Sequence, residues 1–526
     1  APTNGHAFFG IIYATADYLN AGGTFPSGST GSPSITFTTD DDTGIYKRGS
    51  GDIGFVSNST EIVNIDGNGL TVTSKDATIN SISVGKGANS VAGNTVLGES
   101  ALDASVSGGN NTAVGISALT ENTSGTNNVA VGRNSLDTNT SGGNNVALGA
   151  NALDGNTTAS NNTAVGNAAL LSNTTGTGNT AAGANALDAN TTGNNSASFG
   201  MSSLGANTTG GNNCAFGHSA LAVNTTASFN TAVGTDALKA NTTGANNVAV
   251  GAYTLDANTT GSSNTGCGWG SLGGNTTGTQ NTAVGLRALR ANTTADNNTA
   301  VGYYALDSNT TGDSNTAVGM TCLSANTTAN DNTGIGYYSL AANTTGASNT
   351  GLGKGTVRNN TTGSDNTGVG KNALNANTTA SNNTAVGSDA LTANTTGTNN
   401  TAVGKSALPV NTTGLKQTAL GTQTLETATT GSENTAVGYG ALASITTVSN
   451  NTAVGCNALV QSSAGNSTAV GHLALGSNTS GVRNTGCGFQ VLVQNQTGGS
   501  NTAMGYSALY YNTGDANSGF GNDALK

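Results

Sequence analysis

The chain of 526 residues carries a net charge of -11; only 8% of its residues are charged and 4% aromatic, whereas 79 are glycine. This acidic balance argues against nucleic acid and anionic membrane surfaces as partners, since both require clustered Lys and Arg and the sequence has no basic run. Disorder is disfavoured because apolar residues make up 35% of the chain and recur at fixed positions. The composition indicates an ordered, repetitive protein.

The longest apolar stretch lies near the N-terminus and reads AFFGIIYATADYL over residues 7–19. It is too short and too interrupted for a membrane span, and it lacks the charged flank that a signal peptide requires. We therefore predict no membrane insertion and interpret residues 1–31 as an N-terminal docking or attachment segment.

A small β-domain is predicted over residues 32–84, because apolar and polar residues alternate in short runs separated by turn residues. Three consecutive carboxylates in this segment, Asp40, Asp41 and Asp42, have the composition of a Ca²⁺ loop, since hard cations prefer clustered carboxylate oxygens. A solvated turn accounts for the same residues. We favour the turn and predict no metal site there.

A repeat of 17 residues occupies the rest of the chain. One glycine of each NTAVG-like unit marks the period, from Gly115 to Gly455 without a slip, and two intervals of 16 extend it so that 26 units run from Gly98 to Gly521. Two helices do not fit in 17 residues, whereas 17 extended residues form two short strands and two corners. We predict an all-β fold with a β-solenoid of about 26 coils over residues 85–526, a rod of roughly 120 Å.

Two positions of the repeat are predicted to form the solenoid core. Leu stands four residues after the glycine in 25 of the 26 units, as at Leu119, Leu238 and Leu306. The residue before the glycine is apolar in every unit, as at Val301. A recurrent apolar position is typical of a packed interior. The charged neighbour Asp307 is assigned to the outer face.

An Asn ladder is predicted seven residues after the glycine. Asn occupies this position in 18 consecutive units from Asn122 to Asn411, including Asn139, Asn156 and Asn309. Stacked coils place such amides about 4.8 Å apart, so that each can bond the amide above and the amide below.

The predicted ladder is interrupted once. In three successive units the ladder position holds Ala428, Ile445 and Ser462, and the next interval between repeat glycines is one residue short. Each coil of a solenoid contacts only its neighbours and gains no stability from distant coils. We therefore predict a local weak point at residues 425–471.

A parallel homo-oligomer, with a homotrimer as the preferred form, is expected from the thinness of one coil. Burying the apolar side chains of one coil contributes less free energy than is lost as conformational entropy when its 17 residues are ordered. Burying further flat surface between chains offsets this loss.

The two residues after each repeat glycine vary most and include many aromatic side chains. The densest run consists of Trp269, Tyr303, Tyr304, Tyr337 and Tyr338. Stacking places them in one axial stripe, a candidate binding surface, because exposed rings pack well on sugars or on a protein partner. Tolerated corner residues or contacts between chains are alternative explanations.

No arrangement typical of an active site or a cofactor site stands out in the sequence. His6, His218 and His472 are isolated from one another and from candidate partners. The five Cys are odd in number and scattered, which does not fit a disulfide framework. We predict no enzymatic activity, no cofactor and no metal ion.

Residues 32–72, SPSITFTTDDDTGIYKRGSGDIGFVSNSTEIVNIDGNGLTV, resemble a module of bacteriophage tail fibres. The module's pattern runs P-[SA]-I-x-F, then D-x-D-T-G-[IL]-Y, then two short strands and a turn. Its positions are occupied by Pro33, Ile35, Phe37, Asp40, Asp42, Thr43, Gly44, Ile45, Tyr46, Ile53, Phe55, Glu61, Ile65 and Asp66. The NTAVGxxAL repeats also resemble those of phage fibres and, more loosely, repeats in the heads of trimeric autotransporter adhesins.

The resemblance to phage tail fibres implies a rigid homotrimeric rod of the virion that mediates attachment to the host surface. Its implied partners are further copies of the same chain, a tail or baseplate protein at the N-terminal segment, and a host cell-surface glycan or protein. The looser resemblance leaves an alternative open, namely a secreted bacterial adhesin or a self-assembling filament at the bacterial cell surface.

Overall fold

The computed structural model describes residues 28–37, 40–47, 52–66, 69–72, 76–104 and 107–526. Apart from a 3-10 turn at Ala88–Ser90, the regular elements in these ranges are β-strands. The chain divides into two compact units, Ala1–Ser196 and Ala197–Lys526. Residues 1–27, most of the predicted docking segment, lie outside the described residues.

The first unit contains an antiparallel sheet of five strands that pair in sequence order. Its strands are β1 (Ile35–Phe37), β2 (Asp40–Lys47), β3 (Ile53–Ser57), β4 (Thr60–Asp66) and β5 (Gly69–Val72). The turn predicted at the three Asp residues is wrong, because they open β2 and Asp40 is the pairing partner of Phe37 in β1.

The solenoid begins where strand pairing changes from antiparallel to parallel. β6 (Ala77–Ile79) and β7 (Ile82–Gly85) form a hairpin, and β7 pairs antiparallel with β8 (Thr95–Gly98). The other edge of β8 pairs in parallel with β9 (Thr112–Val114), with Thr95 opposite Thr112.

Six strands of the first unit, beginning with β8, occupy equivalent positions of successive repeats. Those after β8 are β9 (Thr112–Val114), β10 (Val129–Val131), β11 (Val146–Leu148), β12 (Thr163–Val165) and β13 (Thr180–Ala182). They pair in parallel in chain order.

The second unit consists of twenty coils, each with one strand. The strands are β14 (Ala197–Phe199), β15 (Cys214–Phe216), β16 (Thr231–Val233), β17 (Val248–Val250), β18 (Thr265–Cys267), β19 (Thr282–Val284), β20 (Thr299–Val301), β21 (Thr316–Val318), β22 (Thr333–Ile335), β23 (Thr350–Leu352), β24 (Thr367–Val369), β25 (Thr384–Val386), β26 (Thr401–Val403), β27 (Thr418–Leu420), β28 (Thr435–Val437), β29 (Thr452–Val454), β30 (Thr468–Val470), β31 (Thr485–Cys487), β32 (Thr502–Met504) and β33 (Ser518–Phe520). Each pairs in parallel with the next, as Thr299 does with Thr316. The predicted β-solenoid with 17-residue coils is thereby confirmed.

Each coil contains one strand, so the prediction of two strands per coil is wrong. In the coil of Gly302, Asn297, Tyr304 and Leu306 have φ angles of 60°, 55° and 50°. Left-handed residues at these intervals prevent the chain from extending and turn it around the coil. The remainder of the coil is therefore a series of turns.

The repeat glycines stack directly on one another between coils. Gly302 has a φ of 136°, and a Cβ on it would lie 2.7 Å from the carbonyl carbon and oxygen of Gly319 in the next coil. Both the backbone angle and the close approach therefore require glycine.

The core lies inside the coils and is built from alanine and leucine. Ala300, the middle residue of β20, and Leu306 are fully buried, as are Leu119 and Leu238. The assignment of Val301 to the core is wrong: it is half-buried on the outer side of β20. Side chains alternate along a strand, so an inward Ala300 directs Val301 outward.

Candidate binding surface

Buried asparagines join successive coils at the predicted ladder position. The Nδ2 of Asn139 donates to Oδ1 of Asn122 at 2.8 Å, and the Nδ2 of Asn156 donates to Oδ1 of Asn139 at 2.9 Å. In the second unit, Asn309 bonds Asn292 in the same way at 3.2 Å. These side chains are fully buried. Each amide thereby supplies a hydrogen bond that a buried polar group requires.

A second row of buried asparagines, four residues before the repeat glycine, was missed by the sequence analysis. Oδ1 of Asn298 accepts the backbone N–H of Asn315 at 2.9 Å, and its Nδ2 donates to the carbonyl of Gly312 at 2.9 Å. Asn stands at this position in 23 of the 26 units. That recurrence was the available signal, since a surface loop does not require the same amide in every coil.

The five predicted stripe residues form two rows instead of one. Trp269, Tyr303 and Tyr337 are 52%, 48% and 41% exposed. Tyr304 and Tyr338 are half-buried behind the two exposed tyrosines. We call the first three the outer ring row and the last two the inner tyrosines.

Each inner tyrosine packs against its exposed neighbour. The ring centroids of Tyr303 and Tyr304 are 4.3 Å apart, and those of Tyr337 and Tyr338 are 4.2 Å apart. A hydrogen bond with Tyr304 raises the pKa of Tyr303, and a hydrogen bond with Tyr338 raises that of Tyr337. Both exposed tyrosines are therefore neutral at physiological pH.

An arginine from a neighbouring coil covers each inner tyrosine. Cζ of Arg287 lies 4.7 Å from the ring centroid of Tyr304, and its Nη1 donates to the tyrosine hydroxyl at 2.6 Å. Cζ of Arg358 lies 4.7 Å from the ring centroid of Tyr338. These cation–π contacts fix the inner tyrosines as supports for the exposed rings.

The assignment of Asp307 to the outer face is wrong, because this residue is only 9% exposed. Its carboxylate accepts hydrogen bonds from Nε of Arg290 at 2.8 Å and from Nη2 at 3.3 Å. Arg287 lies further away, with Nε 3.8 Å from the carboxylate. The Asp307 carboxylate thus offsets the positive charges of Arg290 and Arg287 beside the tyrosines. The pattern of single residues in the sequence did not indicate this pairing.

The isolated histidines and cysteines form no chemical centre in the described ranges. No group of three or more His, Cys, Asp or Glu residues there lies close enough to hold a metal ion. Burial raises the pKa of the Cys322 thiol to about 12, which leaves it protonated and unreactive. The ring of His472 stacks on Phe489, and His6 lies outside the described residues.

Among the described residues, no helix has the length and apolar character needed to cross a bilayer. No protein-family model matches the chain, and no curated protein matches it. Function is therefore inferred from the geometry of the coils and their side chains.

Proposed function

We propose that the chain is a structural fibre protein of a phage or phage-like particle, a rigid homotrimeric rod that mediates attachment to a host surface. The observation that supports this most directly is an apolar row on the outer side of the strands. The row consists of the residue before each repeat glycine, which is apolar in all 26 units. It includes Leu148, Val250 and Ile335, which are 46%, 38% and 40% exposed.

The outer apolar row matches the needs of a parallel assembly. An outward strand position in a solitary rod has no reason to exclude polar residues from every coil. Twenty coils of the second unit, exposing roughly 50 Å² of this row each, present on the order of 1,000 Å² per chain. This is comparable to one side of a stable protein interface, about 800 Å². Copies of the chain aligned in register are therefore the occupant that fits the row.

Attachment by such a rod needs no strong single site. Weak contacts repeated along several copies gain affinity through effective concentration. The resemblance of residues 32–72 to a tail-fibre module favours a particle over a free filament. The N-terminal segment would then bind a tail or baseplate protein.

Sedimentation equilibrium of the full chain tests the assembly. The double variant Val284→Asp with Val301→Asp places two charges on the outer apolar row. Thr294→Asp with Thr311→Asp changes two exposed positions of the same coils and serves as the control. We expect trimers for the wild type and the control and monomers for the row variant. A monomeric wild type, or trimers of the row variant, would contradict the proposal.

Electron microscopy and immunogold labelling test the fibre and its location. The twenty coils of the second unit predict a shaft of about 95 Å, at about 4.8 Å per coil. We expect labelling at the tails of phage-like particles from the source cells. Labelling of the bacterial surface without such particles would favour the adhesin or surface filament.

A further inference from the structure

We propose that the outer ring row and the lysines that continue it bind an anionic polysaccharide carrying carboxylate groups, which lies along the coils. The proposal rests on the proposed attachment function, since it names the ligand class of a surface on the shaft. It adds a specific site, a direction of binding and a repeat length for the ligand.

The exposed rings are evenly spaced along the coils. Trp269, Tyr303 and Tyr337 each follow a repeat glycine and are separated by 34 residues, which is two coils. Two strand spacings correspond to about 9.6 Å along the coil axis. This is close to the length of two pyranose units in an extended polysaccharide, so alternate sugars can stack on successive rings.

The intervening coils complete an uncharged floor for the sugars. Their residues at the same position are Leu286 and Met320, which are 40% and 42% exposed. Five consecutive coils therefore present large apolar side chains at one surface position. An apolar strip that supplies rings at alternate coils matches a polymer whose sugars present alternate faces.

The rings are held before any ligand arrives. Tyr303 and Tyr337 pack on the inner tyrosines, which Arg287 and Arg358 cover from neighbouring coils. Trp269 contacts Tyr253 of the preceding coil edge to face, with centroids 6.0 Å apart. A rigid platform loses little side-chain entropy on binding and therefore favours affinity for a weakly binding ligand.

Charge indicates the chemistry of the ligand. The coils after Tyr337 carry Lys354, Lys371 and Lys405 at the same position, and all three are exposed. Nζ of Lys354 lies 5.7 Å from the ring centroid of Tyr337, which makes the basic row continuous with the ring row. A chain with 15 basic and 26 acidic residues thus places three exposed lysines next to its aromatic platform.

None of the ion pairs in the described residues involves these lysines, and the charges of Lys371 and Lys405 act on Asp389 only from a longer distance, where they help to lower its pKa. The nearby carboxylate of Asp389 accepts hydrogen bonds from Asn372 at 3.1 Å and Ser388 at 2.9 Å. Lysine ammonium groups attract carboxylates as point charges. A uronic acid polymer meets both requirements, because its sugar rings stack and its carboxylates pair with the lysines.

A second aromatic cluster in the same chain provides a control. The rings of His472, Phe489 and Tyr506 follow three consecutive glycines and stack on one another, with centroids 5.1 and 5.3 Å apart. Their planes differ by only 16° and 7°, so neighbouring rings cover one another's faces. These rings are poor partners for a sugar.

Calorimetric titration of the full chain with alginate oligosaccharides, a polyuronate probe, tests the proposal. We expect the triple variant Trp269→Ala, Tyr303→Ala, Tyr337→Ala to lose at least tenfold in affinity. The triple variant Lys354→Gln, Lys371→Gln, Lys405→Gln should bind more weakly and with less dependence on salt. The control Phe489→Ala with Tyr506→Ala should bind as the wild type does.

Neutral dextran and sedimentation equilibrium separate the alternatives. Equal binding of dextran and alginate would overturn the anionic ligand, and no binding of alginate by the wild type would overturn the site. If the triple variant of Trp269, Tyr303 and Tyr337 dissociates into monomers, the outer ring row is a subunit interface, and this result would also overturn the site. Trimers in every sample, without alginate binding, would leave the fibre proposal intact.

Discussion

The coils at 289–340 and those at 425–471 have the same strands and the same buried leucines but fill the ladder position differently. In the first region Asn309 donates to Asn292 at 3.2 Å and accepts from Asn326 at 2.8 Å. In the second, the fully buried Ala428, Ile445 and Ser462 take this position. The strand pairing continues through both regions. The ladder position is thus an interior site that accepts stacked amides, apolar side chains or a serine whose Oγ donates to the carbonyl of Ala464 at 3.1 Å.

Gln417 shows how the ladder ends without exposing an unpaired amide. We call the three coils with Ala428, Ile445 and Ser462 at the ladder position the gap. Asn411 is the last ladder asparagine before the gap, and Ala428 in the next coil cannot donate a hydrogen bond to its Oδ1. Gln417 stands in the second row, where most coils have Asn, and its longer side chain donates from Nε2 to Oδ1 of Asn411 at 3.1 Å. Its backbone N–H still donates to Asn400 at 2.9 Å. One extra methylene therefore connects the two rows where the first one stops.

The second asparagine row crosses the gap and the shortened coil. The backbone N–H of Asn451 donates to Asn434 Oδ1 at 3.0 Å, and that of Ser467 donates to Asn451 Oδ1 at 3.0 Å. Thr427 adds hydrogen bonds from Oγ1 to the carbonyls of Ala443 at 2.9 Å and Ile445 at 2.8 Å. The predicted weak point therefore lacks one of the two asparagine rows.

The largest expected effect is common to both regions. Leu306→Ala and Leu442→Ala each remove a fully buried side chain, and each should lower the free energy of unfolding by about 2 to 5 kcal/mol. Chemical unfolding measures both, with Thr294→Ala as an exposed control in the first region. A much smaller loss for Leu442→Ala would mean that apolar packing is looser in the gap.

The recurrence of residues predicted the 17-residue period, the ladder position and the buried leucines. It could not assign a side to Val301, because recurrence shows that an environment is repeated and not that it is buried. The positive φ of Leu306 was also out of reach, since no glycine or asparagine marks that turn. Likewise, Arg290 and Asp307 are joined only by the stacking of coils.

The next largest effect distinguishes the regions. Asn309→Ala removes the donor to Asn292 and to the carbonyl of Gly312, and the acceptor for Asn326. Unpaired buried groups are costly, so the free energy of unfolding should fall by about 2 to 3 kcal/mol. Ala428→Ser places a hydroxyl at the same position in the gap and should cost less. Equal losses would show that the amide stack contributes nothing specific.

Substitution of Gln417, at the end of the asparagine ladder, should have a smaller effect on the free energy of unfolding, and Gln417→Asn is its conservative control. Gln417→Ala leaves Oδ1 of Asn411 and the carbonyl of Gly431 without a donor. We expect a loss of about 1 to 2 kcal/mol in the free energy of unfolding. Gln417→Asn restores the second row but is too short to reach Asn411, so its loss should be intermediate. A neutral Gln417→Ala would contradict its role as the end of the ladder.

Hydrogen exchange on the assembled protein compares the two regions directly. Amides of residues 425–471 should exchange faster than those of 289–340, by up to about fivefold for each missing hydrogen bond of about 1 kcal/mol. Each coil contacts only its neighbours, so the difference should stay local. Uniform protection across both windows would show that strand pairing and leucine packing determine local stability.

Acidic pH should affect the ladder coils and the gap in different ways, although weakly. Two residues before the ladder Asn, three of the ladder coils carry Asp154, Asp188 and Asp256, and burial raises the pKa of each above the usual 3.8. Two of the gap coils have the uncharged Ala443 and Val460 there. The folded state holds a proton on such an Asp at a higher pH than the unfolded state does. These coils therefore gain stability as the pH falls through the raised pKa.

Asp256→Asn tests this effect, because it removes the partly buried charge and keeps the shape of the side chain. At neutral pH it should raise the free energy of unfolding by about 0.3 kcal/mol at most, since solvent screens a half-exposed carboxylate. The gain should vanish at about pH 3, which lies below both the raised pKa and the ordinary Asp value of about 3.9. Asp389→Asn should act in the opposite direction: hydrogen bonds from Asn372 and Ser388 lower the pKa of Asp389, so its ionised form stabilises the fold above that pKa. Thermal melts of both variants at the two pH values decide the question, and shifts of the same sign would mean that carboxylate burial is not the cause.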